Sequence, residues 1–373
     1  MVFVGGPRQV GKTTLAKKIG KANFAHASYL NWDYAEDRKK IIARKFGADA
    51  DLLIFDELHK YGQWKNYLKG EYDKNREKYK ILVTGSARLD IYRRGGDSLL
   101  GRYHYLRLHP FSLAEALDCR AKIEVGKKLH FKEIKEAKNT LHHLMIHGGF
   151  PEPFFKKNNE TTRRFHNERV ERLIKEDVRD VERVRDLSAL QVLAGLLPER
   201  VGSLFSINSL KEDLGVTHKT LSLWVDILER FYYHYRIYPF SSAPIKSLKK
   251  EPKIYLWDWS EVEDEGAKFE NLIASHLLKF VHFLYDVKGY KAKLYFLRDK
   301  EGHEVDFLVS INNKPWFSVE TKLRDESISK QIYYFKDRLR IPYSFQVLRE
   351  SNVDFEQDGV RCISADKFLT ALV

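Results

Sequence analysis

The stretch Gly6-Pro7-Arg8-Gln9-Val10-Gly11-Lys12-Thr13-Thr14 decides how the N-terminal third of this chain is read. Its spacing is GxxxxGKT, and it follows a short apolar run at residues 2–4 that reads as a buried parallel strand. Glycines at both ends let backbone N–H groups wrap around phosphate oxygens without obstruction by a side chain. Lys12 is placed to reach the β- and γ-phosphates and the Thr13 hydroxyl to ligate Mg²⁺. A helix starting at Gly11 turns its positive end toward the same anion. Strand, loop and helix come in the required order, so a bound ATP or GTP, with its hydrolysis, is expected.

Further along, ADLLIFDELHKY carries a second apolar run that ends in Asp56 and Glu57. A carboxylate at that strand end can hold the Mg²⁺ shell, and its neighbour can orient or deprotonate the attacking water. A third run, residues 81–84, leads into GSAR and puts Ser86 where a polar group can sense the γ-phosphate. A helix reaching Arg93 is expected next, then Gly101 and Arg102 before a strand at residues 103–108. Arg102 reads equally as a surface arginine or as one reaching a phosphate in a neighbouring subunit. With strands at residues 29–32 and 52–55 and a helix at 36–46, residues 1–117 read as a doubly wound α/β core.

The chain has 373 residues and a formal net charge of +13. The length suits two or three domains at ~150 residues each, and the charge favours nucleic acid or another acidic partner. Two cysteines, Cys119 and Cys362, form no CxxC pair. That excludes a disulfide framework and a thiolate zinc site and suits a reducing cytoplasm. No apolar run approaches the ~18 residues of a membrane span. Met1 leads into MVFVGG with no basic segment before it. A cytoplasmic protein with no membrane partner is therefore expected.

From about residue 117 to 203 the pattern becomes helical. Phe165, Val170, Leu173, Ile174, Val178, Val181 and Val184 form an apolar stripe among charges of both signs. Then SINSLKEDLGVTHKTLSLWVDILERF places Gly215 between two helices and Thr217 as the cap of the second. Leu221, Trp224 and Leu228, with Ile227 beside them, are its inner face. This is a helix-turn-helix, with His218, Lys219 and Ser222 on the exposed first turn of the recognition helix. A strand-like aromatic segment, residues 232–238, reads as a wing. Lys246, Lys249, Lys250 and Lys253 are expected on a loop over a DNA backbone. Such a domain can equally serve only for packing between its neighbours.

The last part carries an ordered acidic set. GAKFENLIASHLLKF is a helix with Phe269, Leu272, Ile273, Leu277 and Phe280 inward and Glu270 beside that stripe. HEVDFLV alternates, with Glu304 and Asp306 sharing a face. WFSVETKL puts Glu320 and Lys322 on one face, two residues apart. This is the pattern of a PD-(D/E)XK nuclease core. Asp306, Glu320 and Glu270 are the expected ligands of Mg²⁺ or Mn²⁺, and Lys322 positions the water. Gln331 and Tyr334 either flank that site or pack in the core.

GPRQVGKTTL, LLIFDELH, VTGSAR, LLGR before a strand, HPFSLAE, GGFPEP, HEVDFLV and VETK follow one another in an order that resembles a prokaryotic family. Its members are AAA-type ATPases fused to a C-terminal domain of unknown function with a restriction-endonuclease-like core. The resemblance implies that Lys12 and Thr13 serve nucleotide and Mg²⁺, that Asp56 and Glu57 are the Walker B pair, and that Ser86 is the sensor. It puts Arg102 at the arginine-finger position, which implies a homo-oligomer, and makes the helical middle a lid. Members carry a base-binding segment ahead of the P-loop, whereas here five residues precede Gly6.

The expected architecture is therefore α/β throughout: an AAA-type P-loop NTPase core (1–117), a helical lid (118–203), a winged helix-turn-helix (204–245) and a restriction-endonuclease-like domain (246–373). The expected function is ATP binding and hydrolysis coupled to DNA binding through His218, Lys219, Lys246, Lys249 and Lys250, with Mg²⁺-dependent DNA cleavage. The alternative is an ATP-dependent nucleic-acid- or protein-binding switch whose nuclease-like domain does not cut.

Overall fold

A computed structural model describes residues 1–86, 99, 101–178, 184, 186–241 and 250–373. The helix expected to reach Arg93, Val181 of the apolar stripe, and Lys246 and Lys249 of the lysine loop lie outside the described residues. The chain divides into two compact units.

The first unit comprises Met1–His109, Arg169–Leu187 and Asp226–Tyr232. Strand β1 (Val2–Gly5) is followed by α1 (Lys12–Asn23), β2 (Ala27–Asn31), α2 (Ala35–Ile42), β3 (Leu52–Asp56), α3 (Trp64–Asn75), β4 (Lys80–Gly85) and β5 (His104–Arg107). The strands make one sheet in the order β2-β3-β4-β1-β5, parallel throughout. Every residue of β3 is buried, as a central strand covered on both faces requires. Phe3, Leu53, Phe55, Val83, Trp64 and Leu68 belong to one apolar cluster. Val4, Ala16, Leu52, Ile54 and Leu82 belong to a second. The alternating residues of β3 thus feed both clusters. The helix expected over residues 36–46 is shorter, because Ala43 caps it and Arg44 turns to a positive φ of 54°.

The second unit comprises Pro110–Glu168, Ser188–Val225 and Tyr233–Val373. Its helical part includes α4 (Leu113–Ala116), α5 (Ala137–His147) and α6 (Pro151–Lys156), and the chain continues through α7 (Asn159–Arg172), a π-helical segment (Leu173–Val178) and α8 (Leu187–Leu196). Next, α9 (Ile207–Leu214) ends at Gly215 in the left-handed conformation, φ 62°. The Thr217 hydroxyl accepts the N–H of Thr220 in the first turn of α10 (His218–Arg230). Leu221, Trp224, Ile227 and Leu228 are buried, and His218 and Lys219 are exposed.

Strand β6 (His234–Ile237) pairs antiparallel with β7 (Lys253–Leu256). The aromatic strand is shorter than expected, because Tyr232 takes a positive φ of 60°. Helix α11 (Glu265–Asp286) leads to β8 (Ala292–Arg298), β9 (Glu304–Ile311), β10 (Lys314–Lys322), α12 (Lys330–Leu339), β11 (Tyr343–Leu348), β12 (Asp354–Gln357) and β13 (Val360–Ser364). These six strands form a mixed sheet ordered β12-β13-β11-β10-β9-β8, in which β10, β11 and β13 run parallel. Phe280 of α11 packs tilted against Trp316 and Phe317, and Ile332 and Phe335 of α12 join Val305 and Leu308. Helices therefore cover the sheet, and Leu308 is fully buried.

Among the described residues no helix is long and apolar enough to cross a membrane.

Candidate functional sites

The loop between β1 and α1 is shaped by its glycines. Gly11 caps α1 with φ 101°, a conformation that L side chains resist, and a Cβ on Gly6 would run into the Leu108 carbonyl oxygen. Pro7 and Val10 are buried, whereas Thr14 is exposed. Lys12 is only 6% exposed, and its ammonium donates to the carbonyls of Gly6 (3.0 Å) and Pro7 (2.7 Å). It spans the loop that the sequence assigns to phosphate. Arg8, on the same loop, pairs with Glu176 of the π-helical segment at 2.5 Å. Gln9 takes a positive φ of 63°.

Parallel pairing sets Asp56 of β3 opposite Asn31 of β2 and Thr84 of β4. Three hydroxyls therefore converge on its buried carboxylate. Thr13 donates to Oδ2 at 2.7 Å, Tyr29 donates to the same oxygen at 2.8 Å, and Thr84 donates to Oδ1. Burial and the Asp56 charge push the Tyr29 phenol well above its ordinary range, so it stays a donor. Thr13 and Asp56 thus stand side by side with oxygen atoms only, a donor set that fits Mg²⁺.

Glu57 follows in a left-handed conformation, φ 56°, at the carboxyl end of the strand. That conformation is uncommon for a side chain with a Cβ, and it turns Glu57 away from the direction of the strand. Ser86 donates to Glu57 Oε2 at 3.3 Å. His59 Nε2 lies 3.6 Å from the same oxygen, and burial lowers the imidazole pKa so that it is neutral at neutral pH. Tyr29, His59 and Thr84 were not singled out from the sequence. His59 sits in the quoted DELH, but Tyr29 meets Asp56 only because β2 lies beside β3. Arg102 sets its guanidinium against Asp73 of α3, with contacts of 2.7 and 3.1 Å.

In the second unit the expected acidic residues do come together, but with a cation among them. Lys253, expected on a loop over DNA, is instead on β7 and 3% exposed. Its ammonium lies 2.7 Å from Glu304, 3.3 Å from Glu270 and 3.7 Å from Asp306. The reason is register: Lys253 and Tyr255 alternate along β7 and both turn toward Glu270, which accepts from the Tyr255 hydroxyl at 2.7 Å. Burial opposes the lysine's charge, yet Glu270, Asp306 and Glu304 outweigh it and hold the ammonium well above its ordinary pKa.

Other carboxylate oxygens of the set are engaged as well. Glu304 also pairs with Arg298 at 2.5 Å. Asp306 Oδ2 accepts from the Thr321 N–H and hydroxyl at 2.8 and 2.7 Å. Glu320 pairs with Lys322 at 3.0 Å and accepts from the Asp306 N–H at 3.4 Å. A divalent ion shared by Glu270, Asp306 and Glu320 would meet the Lys253 ammonium, so these side chains as arranged do not fit it. Tyr334 stacks on His303.

Burial and the charge of Asp306 push both Glu270 and Glu320 up to about 7. A carboxyl with a raised folded pKa binds its proton in the native state when the unfolded chain has lost it. Its penalty therefore grows as pH rises from about 4.5 to about 7. Glu270→Gln should gain stability relative to the natural chain over that window, on the order of 1–3 kcal/mol. Denaturant unfolding at pH 5 and pH 8 measures it, and an equal difference at both pH values would refute the assignment.

Residues 1–117 match the family described as an AAA domain, residues 138–260 a domain of unknown function (DUF8612), and residues 265–368 another (DUF4143). The chain thus carries an AAA-type ATPase domain followed by domains of unknown function. An uncharacterized protein of Mycobacterium tuberculosis is 21% identical over 349 residues, covering 89% of this chain and 72% of the relative. One of Methanocaldococcus jannaschii is 24% identical over 384 residues, covering 91% and 79%. Among solved structures, the Thermotoga maritima RuvB Holliday junction branch migration motor is similar at 17% identity and a TM-score of 0.30. The similarity covers 67% of this chain and 87% of that one. At that score the likeness adds nothing to the assignment, which rests on the AAA match and the loop geometry.

Proposed function

We propose that this protein is an ATP-hydrolysing switch whose nucleotide cycle controls contact with nucleic acid, and that its C-terminal domain recognises without cutting. The observation that carries the ATPase reading is the convergence of Thr13, Tyr29 and Thr84 on Asp56 beside the glycine-framed loop. In this reading the loop residues Gly6 to Thr14 hold the triphosphate, and the Lys12 ammonium exchanges two loop carbonyls for phosphate oxygens. Thr13 and Asp56 hold Mg²⁺, which supplies charge neutralisation to the phosphates when bound. Glu57 takes a proton from the attacking water, with Ser86 and neutral His59 fixing its carboxylate. Sharing of the site in a homo-oligomer, with Arg102 leaving Asp73 for a neighbour's phosphate, belongs to the same reading and makes turnover depend on assembly.

The nucleic-acid half rests on the +13 charge and on exposed His218, Lys219 and Lys250. Anisotropy of a labelled DNA should show affinity falling steeply with salt, at a log–log slope of about −0.9 for each phosphate neutralised. Lys219→Glu with Lys250→Glu should lower affinity about tenfold at fixed salt. Binding that ignores salt, or none at low salt, would move the reading to a protein-directed switch.

A second reading, Mg²⁺- or Mn²⁺-dependent DNA cleavage, is favoured by the Glu320–Lys322 pair beside Asp306. It requires Lys253 to leave the cluster. Cleavage of linear, nicked or branched DNA by the purified chain with either ion, with and without ATP, would establish it.

A further inference from the structure

Strands β10 and β11 run parallel and end together, at Lys322 and Leu348. In open α/β sheets the crevice beyond such carboxyl ends is where ligands collect, because the loops leaving neighbouring strands diverge there. Here that crevice is a cavity of about 490 Å³. Four permanent cations line it: Lys138 from α5, Lys268 from α11, Arg324 from just after β10 and Arg349 from just after β11. Two carboxylates, Glu265 and Glu350, share the lining, and Arg349 is engaged by Glu265.

The other three cations make no ion pair with any described residue, although they come from three separate elements. Held around one concavity, like charges repel, and a low-dielectric wall strengthens that repulsion. The wall is apolar in part, since Leu141 and Met145 are buried beneath the rim. Glu265 offsets part of that charge, since it acts on Lys268 and Arg324 as well as on Arg349, and the surplus of cations favours an anion settling between them. The lining offers guanidinium forks and ammonium groups, the donors that match the tetrahedral oxygens of phosphate.

We infer that this pocket is a binding site for a phosphate-bearing anion, separate from the P-loop and from the Lys253 cluster. The phosphate can belong to a nucleic-acid strand or to a free phosphorylated molecule, since both present the same oxygens.

The test uses the full chain carrying Lys12→Ala, which weakens the P-loop's own contribution, with and without Lys268→Ala and Arg324→Ala. Titration with pyrophosphate by calorimetry and with a labelled single-stranded oligonucleotide by anisotropy reads the two sources. Loss of two cations should weaken the true ligand at least about tenfold, and for a single strand it should also reduce the salt slope by about 1.4. Melting temperature should not fall, since neither side chain makes a native ion pair and their loss relieves repulsion, and the same two substitutions in the chain with Lys12 intact should leave the ATPase unchanged. A pyrophosphate effect alone identifies a small ligand, and an oligonucleotide effect alone identifies a strand; either supports the site. Equal affinity of both chains for both probes, with folding intact, would overturn it.

Discussion

Lys12→Ala is expected to abolish ATP turnover, and Glu57→Gln to lower it by ~100-fold or more while leaving ATP bound. The two variants fail for different reasons. Lys12 bridges the loop through the Gly6 and Pro7 carbonyls, so its loss removes both the counter-ion for the phosphates and a strut of the loop. Glutamine at position 57 keeps the Ser86 contact but cannot take a proton from water. Nucleotide affinity and steady-state turnover, measured on both chains, separate the two effects. Undiminished turnover in Lys12→Ala would sink the ATPase reading, and undiminished turnover in Glu57→Gln would leave binding intact but remove the base.

Lys253→Met should produce a large stability loss in the second unit. Methionine fills the volume of the stem but leaves Glu270, Glu304 and Asp306 without their shared ammonium. Breaking a buried pair from one side costs about 3–5 kcal/mol, because the remaining charge stays desolvated. The same vacancy would be lined by carboxylate oxygens, so Mg²⁺ or Mn²⁺ should raise the melting temperature of Lys253→Met by more than that of the natural chain. Thermal unfolding with each ion and with chelator checks both halves. An equal response to the ions in the two chains would mean that Lys253 does not stand in the place of a cation, and the cutting reading would regain its footing.

The elements that the sequence determined by itself are those whose reasons are local. GxxxxGKT needs only the reach of backbone amides and a left-handed glycine, and the apolar run 52–55 ending in Asp56 needs only burial on both faces; both are where the spacing put them. Gly215 between α9 and α10, with Thr217 capping the second helix, was legible for the same reason: a left-handed corner and a cap act within a few residues. Asp56 gained Tyr29 and Thr84 as partners through strand order, which no window of sequence contains. Lys253 lies in a lysine-rich stretch and reads as one of four lysines on a loop over a DNA backbone, because charge alone cannot show which of several lysines a strand will turn inward. Only tertiary structure brought β7 against α11 and β9, and there burial among three carboxylates made one lysine a structural cation. Local chemistry is written in neighbouring residues; the pairing of buried charges depends on segments far apart in sequence meeting in a medium too poor in water to screen them.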